Sequence, residues 1–290
     1  MKNSIIQERQ VNKMRKVNPL NDLVFKKTMG EQGNEVQLKS FLEAVLDREL
    51  KSIQIKGAME LTPDIIGNKL SRLDVFAKID DDVGLNIEVQ LKDHKNMGKR
   101  TIFYWGRGFG NALKAGKDND YIDLPDFITI NLLGFNHLDD EPEEEFHNIY
   151  HVRNGRSGRI LDKCLEIHFL EMPKFLKLKD KDIINNKMHR WLAFFDNDIS
   201  DETLKELVEL DTAIKQAQEK IEYISYNEED YRQIILREQA LLDYNSDINA
   251  SKREERQKII KAMKKSGMTD EQIEQIIKLS EEEADLNSAS

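Results

Sequence analysis

The segment DFITINLLGF, residues 126–135, constrains the fold of this chain more than any other stretch of the sequence. A run that is largely apolar at successive positions is typical of a central strand whose two sheet faces are both covered. The run therefore predicts an α/β fold with a buried strand at its centre. It is too short to cross a membrane, which takes about 20 apolar residues.

Strand-like and helical patterns alternate along the first part of the chain. Apolar residues recur at helical spacing in 35–50 and again from Met97 to Lys114. Beyond Pro173 the sequence is helical and charge-rich, so we predict an α/β domain at 1–180 and a helical region at 181–290. The other predicted strands are KSIQIKGAMEL (51–61), LDVFAKI (73–79), LNIEVQL (85–91), EFHNIYHV (145–152) and LEIHFLEM (165–172).

Composition limits the partners and the compartment. The formal net charge is −10, which argues against a protein that coats nucleic acid through a global positive field. Basic residues outnumber acidic ones in the first 30 positions, so a local phosphate-binding groove is still permitted. The chain has 1 cysteine and begins with the charged segment MKNSIIQERQ, so we expect a cytoplasmic protein with no membrane partner.

An acidic turn joins two of the predicted strands. The segments LDVFAKI and LNIEVQL flank the turn DDDVG and are expected to pair as a hairpin. If the hairpin is centred on Asp81, residues whose numbers sum to 162 face each other, and Asp74 faces Glu88. Like charges in directly opposed positions destabilise a strand pair. Gln90 lies two residues beyond Glu88 and therefore on the same strand face.

A divalent cation would make this pairing of carboxylates favourable. Mg²⁺ binds one or two carboxylates and keeps its other positions for water and substrate phosphate. Gln90 could then position a water molecule as donor or acceptor, although it cannot act as a base. The alternative is that Asp74 and Glu88 lie on a solvated sheet face and that the register is shifted.

The ordered segments NPLNDLVFKKTMG, FLEAVL, RLDVFAKI, NIEVQ and KRTIFYWGRGF resemble the PD-(D/E)XK nuclease superfamily. More specifically, they resemble its bacterial recombination-promoting nuclease and transposase-like family, and LEIHFLEMPKF and NEEDYRQIILREQALLDYNS resemble later segments of it. The resemblance extends from about residue 18 to 279. It implies a restriction-endonuclease-like core, with a mixed central sheet flanked by helices, that cleaves DNA phosphodiesters with Mg²⁺ or Mn²⁺.

The resemblance also implies roles for individual residues. Asp74 and Glu88 become the metal ligands, and Gln90 stands where the superfamily usually has a lysine. A glutamine cannot supply a full positive charge to the transition state. Asp22 lies in the segment that resembles the first family motif and becomes an additional catalytic acid, which Lys26 could neutralise from one helical turn away. A plain surface pair is the alternative for Asp22, and Glu43 is a weaker candidate for its role.

Basic and aromatic residues form a stripe on the predicted helix that follows the hairpin. Arg100, Tyr104 and Arg107 recur at positions i, i+4 and i+7 and could hold a DNA backbone, as could Lys26. The segment GRGFG should let this helix approach its neighbours closely. The alternative is an amphipathic helix that packs Ile102, Phe103 and Trp105 inward and leaves its arginines in water. 

Two further features bear on sites and partners. His147 and His151 share a face near several glutamates, but too few ligands surround them for zinc, and we interpret both as residues of a strand surface. Near the C terminus, Gly267 and the pair Thr269 and Gln272 predict the end of one helix and the capped start of another. Many apolar positions among the charged C-terminal helices suggest a homo-oligomer.

Three functions agree with these patterns. The first is a Mg²⁺-dependent DNA endonuclease that uses Asp74, Glu88, Gln90 and Asp22. The second is a catalytically silent DNA-binding or assembly module with the same fold, which the glutamine at position 90 would favour. The third is a metal-dependent hydrolase of RNA or of a small phosphodiester.

Overall fold

A computed structural model describes residues 15–57, 75–80, 83–112, 120–138 and 140–289 of the chain. Six strands within these ranges form one mixed sheet. They are β1 (Ile53–Gly57), β2 (Val75–Ile79), β3 (Val83–Gln90), β4 (Phe127–Leu133), β5 (His147–Tyr150) and β6 (Leu165–Glu171), and their order in the sheet is β1-β2-β3-β4-β6-β5.

Helices flank this sheet and continue beyond it. They are α1 (Asp22–Met29), α2 (Glu35–Leu46), α3 (Met97–Ala112), α4 (Met172–Lys177), α5 (Lys187–Phe194), α6 (Asp201–Leu210), α7 (Thr212–Tyr226), α8 (Glu228–Lys265) and α9 (Asp270–Ala289). The predicted fold class, a mixed sheet flanked by helices with a helical C-terminal region, is confirmed. Nowhere in the described ranges is a helix both long enough and apolar enough to cross a membrane.

The predicted central strand is confirmed. β4 runs parallel to β3 on one side and to β6 on the other, and every residue from Phe127 to Leu133 is buried. A parallel connection between β3 and β4 requires a crossover rather than a tight turn. The chain makes this crossover through α3, which packs on both strands.

The hairpin of β2 and β3 has the register that the sequence predicts. Val75 pairs with Ile87 and Phe76 with Asn86, so the numbers of paired residues sum to 162. Side chains in opposed positions share a face of the sheet, and Phe76 and Asn86 therefore point to the same side. Asp74, the predicted partner of Glu88, lies outside the described residues.

The two faces of the sheet differ in what covers them. One face packs against α1, α2, α5 and α7 in the main hydrophobic core, whose largest members include Phe25, Phe41, Trp191 and Phe195. The other face carries α3 and the smaller cluster of Met97, Leu133, Ile167 and Phe169. Because side chains alternate along a strand, Glu88 and Asn86 lie on the α3 side.

Helices from beyond residue 180 complete the main core. Trp191 on α5, Ile214 on α7 and Ile234 on α8 are all at most 1% exposed and belong to the same cluster as the strands. The two predicted regions therefore share one core, at least as far as the start of α8.

Local backbone signals decide two helix ends. The predicted helix 35–50 ends at Leu46, because Asp47 adopts the left-handed conformation with φ of 49°. Near the C terminus, Gly267 has a φ of 90°. The predicted capping box is confirmed: the Thr269 amide donates to Gln272 Oε1 at 3.0 Å, and the Gln272 amide donates to Thr269 Oγ1 at 3.3 Å.

Candidate active site

A pocket of about 300 Å³ opens where the end of β3 meets the start of α1 and the first half of α8. Four residues that the sequence singled out contribute to its wall, and they come from α1, β3 and α3. These residues are Asp22, Glu88, Gln90 and Arg100.

Glu88 contributes a buried carboxylate to this pocket. The residue is 4% exposed, and the Arg100 guanidinium donates to its Oε1 from Nε at 2.9 Å and also from Nη2. Burial raises the pKa of Glu88 above its usual value, and the positive charge and hydrogen bonds of Arg100 oppose that rise. Glu88 is therefore a desolvated carboxylate with a single cationic partner in the described part of the chain.

The polar face of β3 is covered by α3 and not by water. Asn86 is fully buried, and neither its amide nitrogen nor its oxygen has a hydrogen-bond partner in the described structure. On the neighbouring strand, the Asn131 amide donates to Thr101 Oγ1 of α3 at 2.9 Å. The alternative in which Glu88 lies on a solvated sheet face is wrong, because α3 buries this row of side chains.

A glycine lets α3 lie this close to the sheet. A Cβ atom added to Gly108 would stand 2.1 Å from Cζ of Phe127 on β4, well inside the contact distance of two carbon atoms. The predicted close approach of the GRGFG segment is confirmed at this position. The approach places Arg100, two turns earlier on the same helix, beside Glu88.

Gln90 ends β3 at the edge of the pocket. Its Nε2 donates to the backbone carbonyl of Lys92 at 3.0 Å, which fixes the orientation of the amide. The amide oxygen is then the atom that Gln90 can offer to a water molecule or a cation.

The NPLND segment fixes the position of Asp22. The Asn18 side chain accepts a hydrogen bond from the Leu20 amide, and the Asn21 side chain caps α1 by accepting one from the Leu23 amide. Asp22 is thereby the first residue of α1, where the helix dipole favours a negative charge.

The cation that pairs with Asp22 is not the expected one. Arg237 on α8 approaches Asp22 to 3.0 Å, from its Nε to Oδ1. The sequence indicated that Lys26 could neutralise Asp22, and the structure gives that role to Arg237, from 215 residues further along the chain. Lys26 is half-buried on the same helix.

Glu43, the weaker candidate for the role of Asp22, lies in a separate pocket. It binds Lys187 at 3.0 Å and accepts a hydrogen bond from the Leu50 amide. Burial by itself would raise the pKa of Glu43, but the hydrogen bonds from Lys187 and Leu50 hold it below its usual value. These contacts indicate that Glu43 has a structural role, as one partner of an ion pair.

The predicted stripe on α3 divides into a buried and a surface part. Tyr104 is 8% exposed, and the Arg100 guanidinium lies over its ring, 5.2 Å from the centroid, in a cation–π contact. Arg107 lies over the ring of Phe103 at 5.8 Å. Ile102 and Phe103 are 57% and 53% exposed, so the alternative in which they pack inward is wrong for these two residues. Trp105 does pack inward, and its Nε1 donates to the Phe127 carbonyl at 3.0 Å.

The sequence patterns did not identify the contribution of α8. Arg237 and Glu238 line the pocket, and Glu238 has a pKa that burial raises above its usual range. No spacing rule connects residue 22 with residue 237. The available signal was the resemblance of the segment NEEDYRQIILREQALLDYNS to a family pattern, since that segment contains both Arg237 and Glu238.

Comparison with known proteins gives the family. The model of the PD-(D/E)XK nuclease family transposases matches residues 19–251. The chain belongs to this family. The match includes the start of α1, the hairpin, α3 and the part of α8 that lines the pocket. No curated protein and no solved structure matched the chain.

The residues present fit the divalent metal that PD-(D/E)XK nucleases generally use. Glu88, Asp22 and Gln90 all offer the hard oxygen donors that Mg²⁺ prefers. Among the described residues, no three His, Cys, Asp or Glu side chains converge into a metal site, and Asp74 lies outside them. Mg²⁺ needs only one or two protein carboxylates, and Glu88 supplies one in this pocket.

The two predicted surface histidines of this nuclease family member differ from each other. His147 is half-buried, and its Nε2 lies 2.8 Å from Nδ1 of the buried His168, whose Nε2 lies 2.8 Å from Glu166. Burial lowers the pKa of His147 to about 4. The prediction of a plain strand surface is therefore wrong for His147, whereas His151 lies just beyond the end of β5.

Proposed function

We propose that this chain is a metal-dependent DNA endonuclease that hydrolyses phosphodiester bonds. The family assignment indicates a nuclease-like function, and one observation carries the proposal further: the buried carboxylate of Glu88 shares a pocket with Asp22 and Gln90. A carboxylate that is withdrawn from water, in a pocket wide enough for water and phosphate, is suited to binding a divalent cation.

Asp74 and Glu88 are the proposed metal ligands. The register supports this pairing, because Val75, the neighbour of Asp74 in the chain, is paired with Ile87, the neighbour of Glu88. When bound, Mg²⁺ or Mn²⁺ would polarise a phosphoryl oxygen and lower the pKa of a water molecule. Gln90 would orient the attacking water through its amide oxygen, and Asp22 would contribute a third negative charge from α1.

Arg100 can supply the positive charge that the glutamine at position 90 lacks. The lysine usual in this superfamily brings a positive charge to the transition state, and Gln90 cannot do so. The Arg100 guanidinium already lies in the same pocket, on Glu88. Turned toward a scissile phosphate, it would supply that charge and hold the DNA backbone, with Arg107 further along the same helix.

The second candidate is a catalytically silent DNA-binding or assembly module. The observation that favours it is the engagement of Glu88 Oε1 by two donors of Arg100, since a metal ion would have to displace or share them. The glutamine at position 90, where the superfamily usually has a lysine, also favours this second candidate. The two candidates predict the same fold and differ only in whether DNA is cut.

A nicking assay on supercoiled plasmid distinguishes the two candidates. We expect cleavage by the wild type with Mg²⁺ or Mn²⁺, none with EDTA, and a loss of at least about 100-fold in Asp74→Ala and Glu88→Ala. Glu43→Ala is the matched control, because it removes an ion-paired glutamate outside the pocket and should cleave normally. Full activity in both site variants would refute the assignment, and inactivity of every protein together with intact DNA binding would favour the silent module.

The setting of this activity is also a proposal. A chain with 1 cysteine suits a reducing compartment, and we place the nuclease in the cytoplasm. We propose a homo-oligomer held by the C-terminal helices. Light scattering of the purified chain gives the mass in solution, and a monomer at every concentration would refute this part.

A further inference from the structure

Helix α8 is fixed to the body of the protein on both sides of the pocket. Asp230 pairs with Lys27 at 2.8 Å, and Tyr244 donates to the Asp93 carbonyl at 3.2 Å. Arg237 lies midway between these two anchors. Because residues seven apart lie on the same side of an α-helix, Asp230, Arg237 and Tyr244 form one stripe that faces the body.

The Arg237 guanidinium is held in the pocket but is not locked there. Its Nε lies 3.0 Å and 3.2 Å from the two carboxylate oxygens of Asp22, and Nη1 donates to the Gln233 carbonyl at 3.4 Å. The side chains of Arg237 and Asp22 are 40% and 52% exposed. An ion pair this accessible to water is weak, so Arg237 can exchange Asp22 for another anion at little cost.

Three carboxylates of the described residues line the pocket, and two of them, Glu88 and Asp22, are each paired with one arginine. Arg100 neutralises Glu88 from α3, and Arg237 neutralises Asp22 from α8. A divalent cation bound by these carboxylates would compete with the guanidiniums for them through its charge. A guanidinium displaced in this way faces the same pocket as the substrate, where a phosphate offers it two oxygens in matching geometry.

We propose that Arg237 is a phosphate-contacting residue of the DNA site, held in place by Asp22 until substrate and metal bind. The inference rests on the proposed function and deepens it. It makes α8, which lies in the region predicted from 181 onward, part of the nuclease site. The substrate group that Arg237 recognises is the sugar–phosphate backbone, so its contribution is independent of DNA sequence.

Salt-dependent DNA binding tests this role separately from cleavage. The affinity of the full chain for a fluorescent duplex is measured across salt concentrations, once with Ca²⁺ and once with EDTA. With Ca²⁺, we expect Arg237→Ala to bind the duplex about ten-fold more weakly than the wild type. The negative slope of log K against log[salt] should become shallower by about 0.9, the value for one phosphate contact. Arg237→Lys should recover the slope.

Arg232→Ala is the matched control. It removes the same charge from the same helix, but among the described residues Arg232 pairs with the nearby Glu229 alone and does not line the pocket. A general loss of positive potential would affect both variants equally, whereas a phosphate contact affects only Arg237. In the cleavage assay, Arg237→Ala should raise KM for DNA more than it lowers kcat.

The outcomes separate the two proposals. If the wild type nicks plasmid and Arg237→Ala matches Arg232→Ala in slope and in KM, the role of Arg237 is refuted and the endonuclease stands. If the wild type binds DNA without cutting it, the slope still decides the role of Arg237. If the wild type does not bind DNA, both proposals fail.

Discussion

Replacing Gly108 by alanine tests whether the close approach of α3 positions the site. The added Cβ would lie 2.1 Å from Cζ of Phe127 and 2.5 Å from Cε2. The ring has little room to withdraw, because it is 1% exposed, stacks on Phe76 at 6.2 Å, and lies against Gly84 on another side. The helix must therefore move away from the sheet.

Gly106→Ala is the matched control on the same helix. A Cβ there would meet nothing within 4 Å, so the variant should gain about 0.5–1 kcal/mol from helix propensity alone. The same gain applies to Gly108→Ala, but overpacking a buried site costs about 1–3 kcal/mol. The difference between the two variants in free energy of unfolding should therefore be about 1–3 kcal/mol, with Gly108→Ala the less stable.

Urea denaturation of both variants gives this difference directly. The double variant Gly108→Ala with Phe127→Leu should recover part of the loss attributed to the clash, because the smaller side chain makes room for the new methyl group. Gly108→Ala should also lose nuclease activity relative to Gly106→Ala, since moving α3 separates Arg100 from Glu88. Equal stability of the two single variants would refute the reasoning.

Two further predictions concern charge and stability. Burial holds the pKa of His147 at about 4, below its ordinary 6.5, so the unfolded chain binds a proton that the folded chain does not. The stability that neutral His147 contributes to the fold is fully present above about pH 6.5 and is lost as the pH falls toward 4. Between pH 7 and pH 5, the free energy of unfolding should fall by about 2 kcal/mol more in the wild type than in His147→Gln, measured by urea denaturation. Arg100→Ala should destabilise the fold by about 1–3 kcal/mol, because it leaves the buried Glu88 without its partner, and the same change at Arg232, which pairs with Glu229 at the exposed surface of α8, should cost less. Equal losses for the two arginines in thermal unfolding would contradict that account.

Local patterns predicted the hairpin and its register correctly. Alternation along β3 and an acidic turn specify which residues face each other, because a shift by one residue would send the apolar Ile87 and Val89 to the wrong face. The buried strand β4 was equally predictable from its composition. Both patterns are set by residues that are close in the sequence, so they do not depend on how distant parts of the chain pack.

What lies over a strand face could not be predicted in the same way. The sequence shows that Glu88 and Asn86 share a side, but it does not show whether water or a helix covers them. That depends on how near α3 can come, which is decided by one glycine against one phenylalanine ring. His147 was assigned to a surface for the same reason, because its partner His168 is on a neighbouring strand.

The sequence by itself determined the fold class, the hairpin register and two of the carboxylates that line the candidate pocket, Asp22 and Glu88, because periodicity, turn chemistry and family motifs act over short separations. Only the tertiary structure decided how those carboxylates are neutralised. Arg100 reaches Glu88 through helix packing, and Arg237 reaches Asp22 across 215 residues. Ion pairs of this kind depend on distance in space, and sequence spacing carries no record of it.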